Sequence, residues 1–464
     1  MKKKLFLLLS ISYFLLPLIA FAQTQTKKPN IIFILTDDQR WDALGVMGNT
    51  IIQTPNMDKL ANNGVLFENA YATTSICCVS RASILTGQYE SRHGIHDFKT
   101  NMTPAQEEKT YPILLKNAGY KIGFIGKYGV GNKPPEDRFD FVFNTEAGGL
   151  MQPTYITTDK NGNKVHDTDT IGHSINNFLN EYGKKEAPFC LSVSFKAPHE
   201  EDGDPPKYII QPQARYKNMY KDVTIPKAVT ASEKYWNQLP DLLRTEENFG
   251  RKRWRGLFGT DSLYQENVKN YYRLITGVDD VVGNMMAQLK EQGIDKNTII
   301  IVMGDQGMFL GEHGMEGKWY GYEESIRLPL IIYNPLAPDK IKQYRADQIA
   351  LNIDIAPTIL GFAGIAPPKG TQGINLFDVI ENKTPERKDF FYQHYYVGSP
   401  GIPKVEGVVE KRFKYMNYIE TGYEQIFDIQ HDPHETDNLA GNAKYKKQLT
   451  ELRKKYAKYR KSVM

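Results

Sequence analysis

Reactive side chains are densest in the stretch Ser75-Ile76-Cys77-Cys78-Val79-Ser80-Arg81-Ala82-Ser83-Ile84-Leu85-Thr86-Gly87. Cys77 stands where a helix is expected to begin, with residues 79–86 as its body and Gly87 as its stop. A helix start presents unpaired N–H groups and a partial positive charge, which suit an anion. Arg81, one turn along, adds a planar fork for oxyanions. A bare Cys-Cys pair reads equally well as two buried cysteines in a loop. What turns the reading toward chemistry is that Asp37-Asp38, Lys127, His199 and Asp305 each follow a short apolar run.

Those runs are residues 31–35, 121–125, 189–195 and 298–303, with 328–333 a fifth. Unbroken and rich in Ile and Val, they suit strands buried on both faces, as in a parallel sheet. Helical stretches intervene at 112–118, 171–182 and about 266–291. This alternation implies an α/β fold: a large, mostly parallel, doubly wound sheet sandwiched by helices. Ligands of such sheets gather beyond the carboxyl ends of the strands, so the four polar clusters predict one site. Past about Pro335 the texture changes. Residues 354–358 begin a short helix, and 364–373 are rich in Gly and Pro. Aromatic-rich, β-like segments follow at 390–396, 407–419 and 425–429, then a basic helix from about Lys444. These predict a smaller C-terminal α+β subdomain with an antiparallel sheet, the chain dividing into 23–375 and 376–464.

At 41% hydrophobic and 24% charged, the 464 residues have globular usage, which excludes a disordered or collagen-like chain. Lys and Arg number 58 against 54 Asp and Glu, and three of the cations are Lys2, Lys3 and Lys4. The near-neutral remainder argues against a nucleic-acid binder. Three cysteines exclude a disulfide framework, and their spacing suggests no structural zinc. Residues 1–22 read as a secretory signal peptide: a basic start, an apolar run at 5–19 and an Ala20-Phe21-Ala22 cleavage site. The run is short for a bilayer. The expected mature protein is exported, periplasmic or secreted, without a stable membrane span.

Cys77, Ser80-Arg81 and Leu85-Thr86-Gly87 together resemble the type I sulfatase signature, Cys-x-Pro/Ala/Ser-Ser-Arg followed by Leu-Thr-Gly, with Val79 in place of the usual small residue or Pro. The resemblance runs along nearly all the chain. Asp37-Asp38-Gln39, Pro198-His199 and Gly304-Asp305-Gln306-Gly307 fit in order, with Gln306 where Asn or His is commoner. So do Gly311-Glu312-His313-Gly314, Lys318, Tyr322-Glu323-Glu324, and the ending from Phe427-Asp428-Ile429 to Asn438-Leu439-Ala440. It implies an alkaline-phosphatase-like fold and oxidation of Cys77 to formylglycine by a formylglycine-generating or anaerobic sulfatase-maturating enzyme. It also implies a cation on Asp37, Asp38, Asp305, Gln306 and an oxygen of modified Cys77. Such hard oxygen ligands favour Ca²⁺ or Mg²⁺ over zinc, and about six of them in flexible geometry favour Ca²⁺. By the same resemblance the hydrated aldehyde is the nucleophile, Arg81, Lys127 and Lys318 surround the sulfate, and His199 protonates the departing oxygen. His313 contacts substrate or orders its loop. One departure is plain: the family often reads Gly-Lys-x-His, and Gly126-Lys127-Tyr128-Gly129 lacks that His. Water, another side chain or a carboxylate is left to take the proton released when the sulfate ester collapses.

Further along, Gly250-Arg251-Lys252-Arg253-Trp254-Arg255 interleaves cations with an aromatic ring. Arg253 and Arg255 either grip an anionic sugar chain or lie on a solvated helix face or turn. The pattern resembles bacterial polysaccharide sulfatases, implying a sulfated glycan substrate, algal such as ulvan or carrageenan, or a glycosaminoglycan. Two other readings stay open: a phosphatase, phosphodiesterase or phosphonate hydrolase on the same fold, and a non-catalytic exported glycan-binding protein.

Overall fold

Strand β1 (Asn30–Asp37) buries Ile32 and Ile34 in one core and Ile31, Phe33 and Leu35 in another. Successive side chains of a strand point to opposite faces, so a run apolar at every position needs a layer on each side. The computed structural model, which describes residues 27–131, 134–146, 154–159, 161–201, 208–396 and 401–463, supplies both layers. The expected signal peptide lies outside the described residues.

Seven more strands complete the main sheet: β2 (Val65–Tyr71), β3 (Lys121–Gly126), β4 (Phe141–Asn144), β5 (Phe189–Pro198), β6 (Thr298–Gly304), β7 (Leu330–Tyr333) and β8 (Tyr344–Leu351). Their order is β8-β2-β7-β6-β1-β5-β3-β4. Only β7 runs antiparallel to its neighbours; the pairings β6-β1, β1-β5, β5-β3, β3-β4 and β8-β2 are all parallel.

The principal helices are α1 (Pro55–Asn62), α2 (Cys77–Thr86), α3 (Tyr111–Asn117), α4 (Asp167–Tyr182), α5 (Phe249–Leu257), α6 (Asp261–Glu291), α7 (Ile355–Phe362) and α8 (Lys446–Val463). The first, fourth and sixth pack on the Ile32 face, and α2, α3 and α7 on the Ile31 face. Strands β2 and β8 and helix α1 go beyond the expected elements. Glu68-Asn69 interrupts the apolar run of β2, and β8 is an edge strand with exposed Arg345 and Asp347.

The C-terminal sheet is a meander of β9 (Asp389–His394), β10 (Val405–Glu410), β11 (Phe413–Tyr418) and β12 (Tyr423–Asp428), every neighbour antiparallel. The stretch 407–419, expected as one β segment, is parts of two strands turning at Lys411-Arg412. Helix α8 covers this sheet, with Tyr456 and Tyr459 stacked on Phe391 at 6.2 and 6.0 Å. No described helix is long and apolar enough to cross a membrane.

Candidate active site

Strands β6, β1, β5 and β3 are neighbours running the same way, so their carboxyl ends share one edge. The register is close: Thr36 lies opposite Gly304, Asp37 opposite Pro198, and Gly126 opposite Ser194. Asp37-Asp38, Lys127, His199 and Asp305 therefore emerge together. Helix α2 meets them with its first turn, whose N-cap, Ile76, makes no side-chain cap.

Local backbone features put the groups in place. Asp38 has φ 61°, a left-handed conformation that Asp tolerates better than most residues. Its N–H donates to Asp305 Oδ1 at 3.0 Å, and its carbonyl accepts from the Tyr271 hydroxyl at 2.7 Å. Gly126 has φ 101°, and a Cβ there would sit 1.9 Å from the Ser194 carbonyl oxygen. Only glycine lets β3 pass β5 so closely and deliver Lys127. Ser80 Oγ donates to the Asp305 carbonyl at 2.5 Å and accepts from Asn352 Nδ2 at 2.9 Å, tying α2 to the end of β6.

The resulting cluster is dense and buried. Lys127 Nζ lies 2.5 Å from Asp37 Oδ2, and Lys318 Nζ lies 2.5 Å from Asp38 Oδ2. Arg81 reaches Asp305 Oδ2 at 3.1 Å and Asp37 Oδ2 at 3.4 Å, and donates to the Lys127 carbonyl at 2.7 Å and to Ser194 Oγ. Gln306 Nε2 donates to Asp38 Oδ1 at 2.5 Å and to Cys77 Sγ at 3.5 Å. His199 Nε2 is 3.5 Å from Asp38 Oδ2.

Burial and the mutual repulsion of carboxylates dominate the electrostatics. Burial pushes Asp305 up to about 8, with the Asp37 charge adding to the effect. Burial also acts on Asp37, but Lys127, His199 and Arg81 outweigh it and hold that carboxyl well below its usual range. Burial, reinforced by Asp37, pushes the Cys77 thiol up to about 12. At neutral pH the unmodified thiol is thus protonated and a poor nucleophile. Burial, reinforced by Lys318, holds His199 well below the usual imidazole range.

The donor set fits a hard cation. Asp37, Asp38 and Asp305 each bring an oxygen within 4.8 Å of the others, as do ligand atoms of Asp37, Cys77 and His199. Asp37 Oδ1 and Gln306 Oε1 are buried without a hydrogen-bond partner, a costly state unless something binds them. Three carboxylates here face three cations, Arg81, Lys127 and Lys318. A divalent cation would leave net positive charge for an anionic ester to meet.

Not every expected residue joins this cluster. His313 is buried; its ring packs on Phe309 and Tyr322, and its N–H donates to the Thr230 carbonyl. The stretch 250–255 lies in α5, and its three arginines are already ion-paired. Arg251 pairs with Glu233, Arg253 with Glu200 and Glu316, and exposed Arg255 with Glu246. A row of free cations does not describe this helix, because acidic residues distant in sequence neutralise it. The position of the missing His is tightly enclosed. Gly129 has φ 69°, and a Cβ there would come within 2.7 Å of Arg81 Cδ, whose guanidinium bonds Asp305 and Ser194. The Tyr128 and Gly129 N–H groups instead donate to the Glu146 carboxylate. Tyr271, Asn352, Glu146 and Glu200 are the groups that sequence reasoning passed over; only Glu200, beside His199, carried a signal there.

Comparison with known proteins agrees with this geometry. The family description "Sulfatase" matches residues 29–365, and "N-sulphoglucosamine sulphohydrolase, C-terminal" matches residues 311–462. An N-acetylglucosamine-6-O-sulfatase of Bacteroides thetaiotaomicron is 32% identical, the alignment covering 95% of this chain and 89% of the relative. An ulvan-active sulfatase of Formosa agariphila is 28% identical over 93% of this chain and 80% of its own. A solved structure in complex with its substrate D-glucosamine-2-N,6-O-disulfate superposes with a TM-score of 0.81 at 28% identity, covering 94% of this chain and 98% of that one. A phosphonate monoester hydrolase of Agrobacterium radiobacter, TM-score 0.76 at 22% identity over 94% of this chain and 96% of its own, shares the fold. The chain belongs to the sulfatase family and is a sulfuric ester hydrolase.

Proposed function

We propose that this protein removes O-sulfate groups from a carbohydrate, with amino sugars bearing 6-O-sulfate and ulvan-type oligosaccharides as the first substrates to try. The relatives' substrates support the sugar class. The observation that carries the chemistry is the meeting of Cys77 with Asp37 and His199, ligand atoms within 4.8 Å, at the start of a helix. Formylglycine derived from Cys77 would supply a hydrated aldehyde as nucleophile. A divalent cation, Ca²⁺ in this reading, would be held by Asp37, Asp38, Asp305 and the Gln306 carbonyl, and when bound supplies a Lewis acid.

The chain's own residues do the rest. Arg81, Lys127 and Lys318 hold the sulfate oxygens while negative charge moves toward the leaving alcohol. His199, protonated on both ring nitrogens once the anionic ester lies beside it, delivers the Nε2 proton to that alcohol's oxygen as the S–O bond breaks, and keeps the proton on Nδ1. Burial of all four keeps water from weakening these contacts. The same reading takes in export through residues 1–22, a maturating enzyme as partner, and functional units at 23–375 and 376–464.

The test is sulfate release by matured protein from N-acetylglucosamine 6-O-sulfate, ulvan oligosaccharides and 4-nitrophenyl sulfate, beside 4-nitrophenyl phosphate. Release from a sugar sulfate is expected. Faster hydrolysis of the aryl phosphate than of every sulfate ester would overturn the reading.

A further inference from the structure

Strand β5 leads directly into His199-Glu200, both buried. His199 Nδ1 lies 2.6 Å from the Glu200 main-chain carbonyl oxygen and 3.6 Å from Glu200 Oε1. A carbonyl oxygen only accepts, so Nδ1 carries a proton and Nε2 is the nitrogen turned toward Asp38 and the reacting group. The Tyr155 hydroxyl donates to the His199 main-chain carbonyl at 2.5 Å.

The Glu200 side chain does not end the line. It is ion-paired with Arg253, whose Nε donates to Glu316 Oε2 at 2.6 Å and whose guanidinium lies 4.3 Å over the Tyr208 ring. Arg253 is 3% exposed, and Glu200 and Glu316 are 1% and 0% exposed. Burying three charged side chains is expensive, and packing alone would be served as well by apolar residues. The arrangement gains a purpose from where it leads: one end is anchored by Glu316, and the other is the residue whose carbonyl and carboxylate face the imidazole.

We propose that Glu200, clamped by Arg253 and Glu316, is the positioning residue that fixes the His199 ring in the orientation from which Nε2 protonates the leaving oxygen. Arg253 thereby moves from the expected glycan surface to the support of the acid. The inference rests on the reading of His199 as that acid, and the experiment separates the two.

An acid matters for a poor leaving group and hardly at all for nitrophenolate. In matured, cation-loaded protein, Glu200→Gln is expected to lower kcat/KM for a sugar O-sulfate about tenfold or more, and for 4-nitrophenyl sulfate no more than about threefold. Arg253→Lys, which keeps the charge but loses the fork, should give the same asymmetry at smaller size; it applies the same criterion if Glu200→Gln does not fold. In a His199→Ala background, Glu200→Gln should add no further loss on the sugar sulfate, since the two act as one unit. Equal losses on both substrates, no loss on either, or full additivity with His199→Ala would make the line a scaffold and overturn the proposal. If His199→Ala alone fails to discriminate between the leaving groups, the acid assignment falls first and the proposal with it.

Discussion

Strands β6, β1, β5 and β3 end differently at their two edges. At the amino edge polar groups close on one another. Asn30 Nδ2 donates to Thr298 Oγ1 at 3.4 Å, Asn30 Oδ1 accepts the Phe189 N–H at 3.2 Å, and Lys121 pairs with Asp140 at 2.9 Å. At the carboxyl edge, three carboxylates and three cations are packed together, yet Asp37 Oδ1 and Gln306 Oε1 keep no partner. The same strands thus carry one end where polar groups pair across the sheet and another where two buried acceptors in a charged cluster stay unpaired. Polar groups that satisfy each other contribute stability; polar groups held in wait contribute affinity and rate.

Substitutions at the two edges should separate these roles. The largest effect is expected at the carboxyl edge: Cys77→Ser should lower sulfate release at least about 10⁴-fold, as loss of a nucleophile does, with thermal unfolding little changed. Retained activity in that variant would merge the two edges into one structural role. Asp37→Asn comes next, costing about 10²-fold or more in kcat. It should also abolish the stabilisation by Ca²⁺, which at about 100 times Kd is worth about 2.7 kcal/mol in the parent; a calcium-dependent melting shift that survives would move the cation elsewhere.

Asn30→Ala, at the amino edge, should do the reverse. It leaves the buried Phe189 N–H unsatisfied and should cost about 1–3 kcal/mol of stability, while kcat of the folded fraction stays unchanged. Smallest of all is Arg255→Ala on α5. Its exposed pair with Glu246 should be worth less than about 1 kcal/mol in a denaturant titration.

Much of this was legible in the sequence because burial on both faces leaves a simple signature. Residues 31–35 and 298–303 read as central strands from composition alone, and the polar groups after them followed. Gly87, φ 66°, stops α2 where a C-cap glycine was expected. Edge strand β8 was not legible, since exposed Arg345 and Asp347 break its apolar pattern so that it resembles a loop. Nor was the role of Arg253, because the two carboxylates that neutralise it lie 53 and 63 positions away and only folding brings them together. Gly129 is the instructive middle case. Its identity is legible as a departure from the family, but the crowding at that position comes from the Arg81 side chain on helix α2, which only folding brings there.

The proposed chemistry at the carboxyl edge turns on residue 77 ceasing to be a thiol. The most direct measurement is the mass of the peptide containing Cys77, from protein produced with a maturating enzyme and shown to release sulfate. Conversion to formylglycine predicts a mass about 18 Da below that of the thiol peptide. A preparation that turns over sulfate esters with its Cys77 thiol intact would contradict the account.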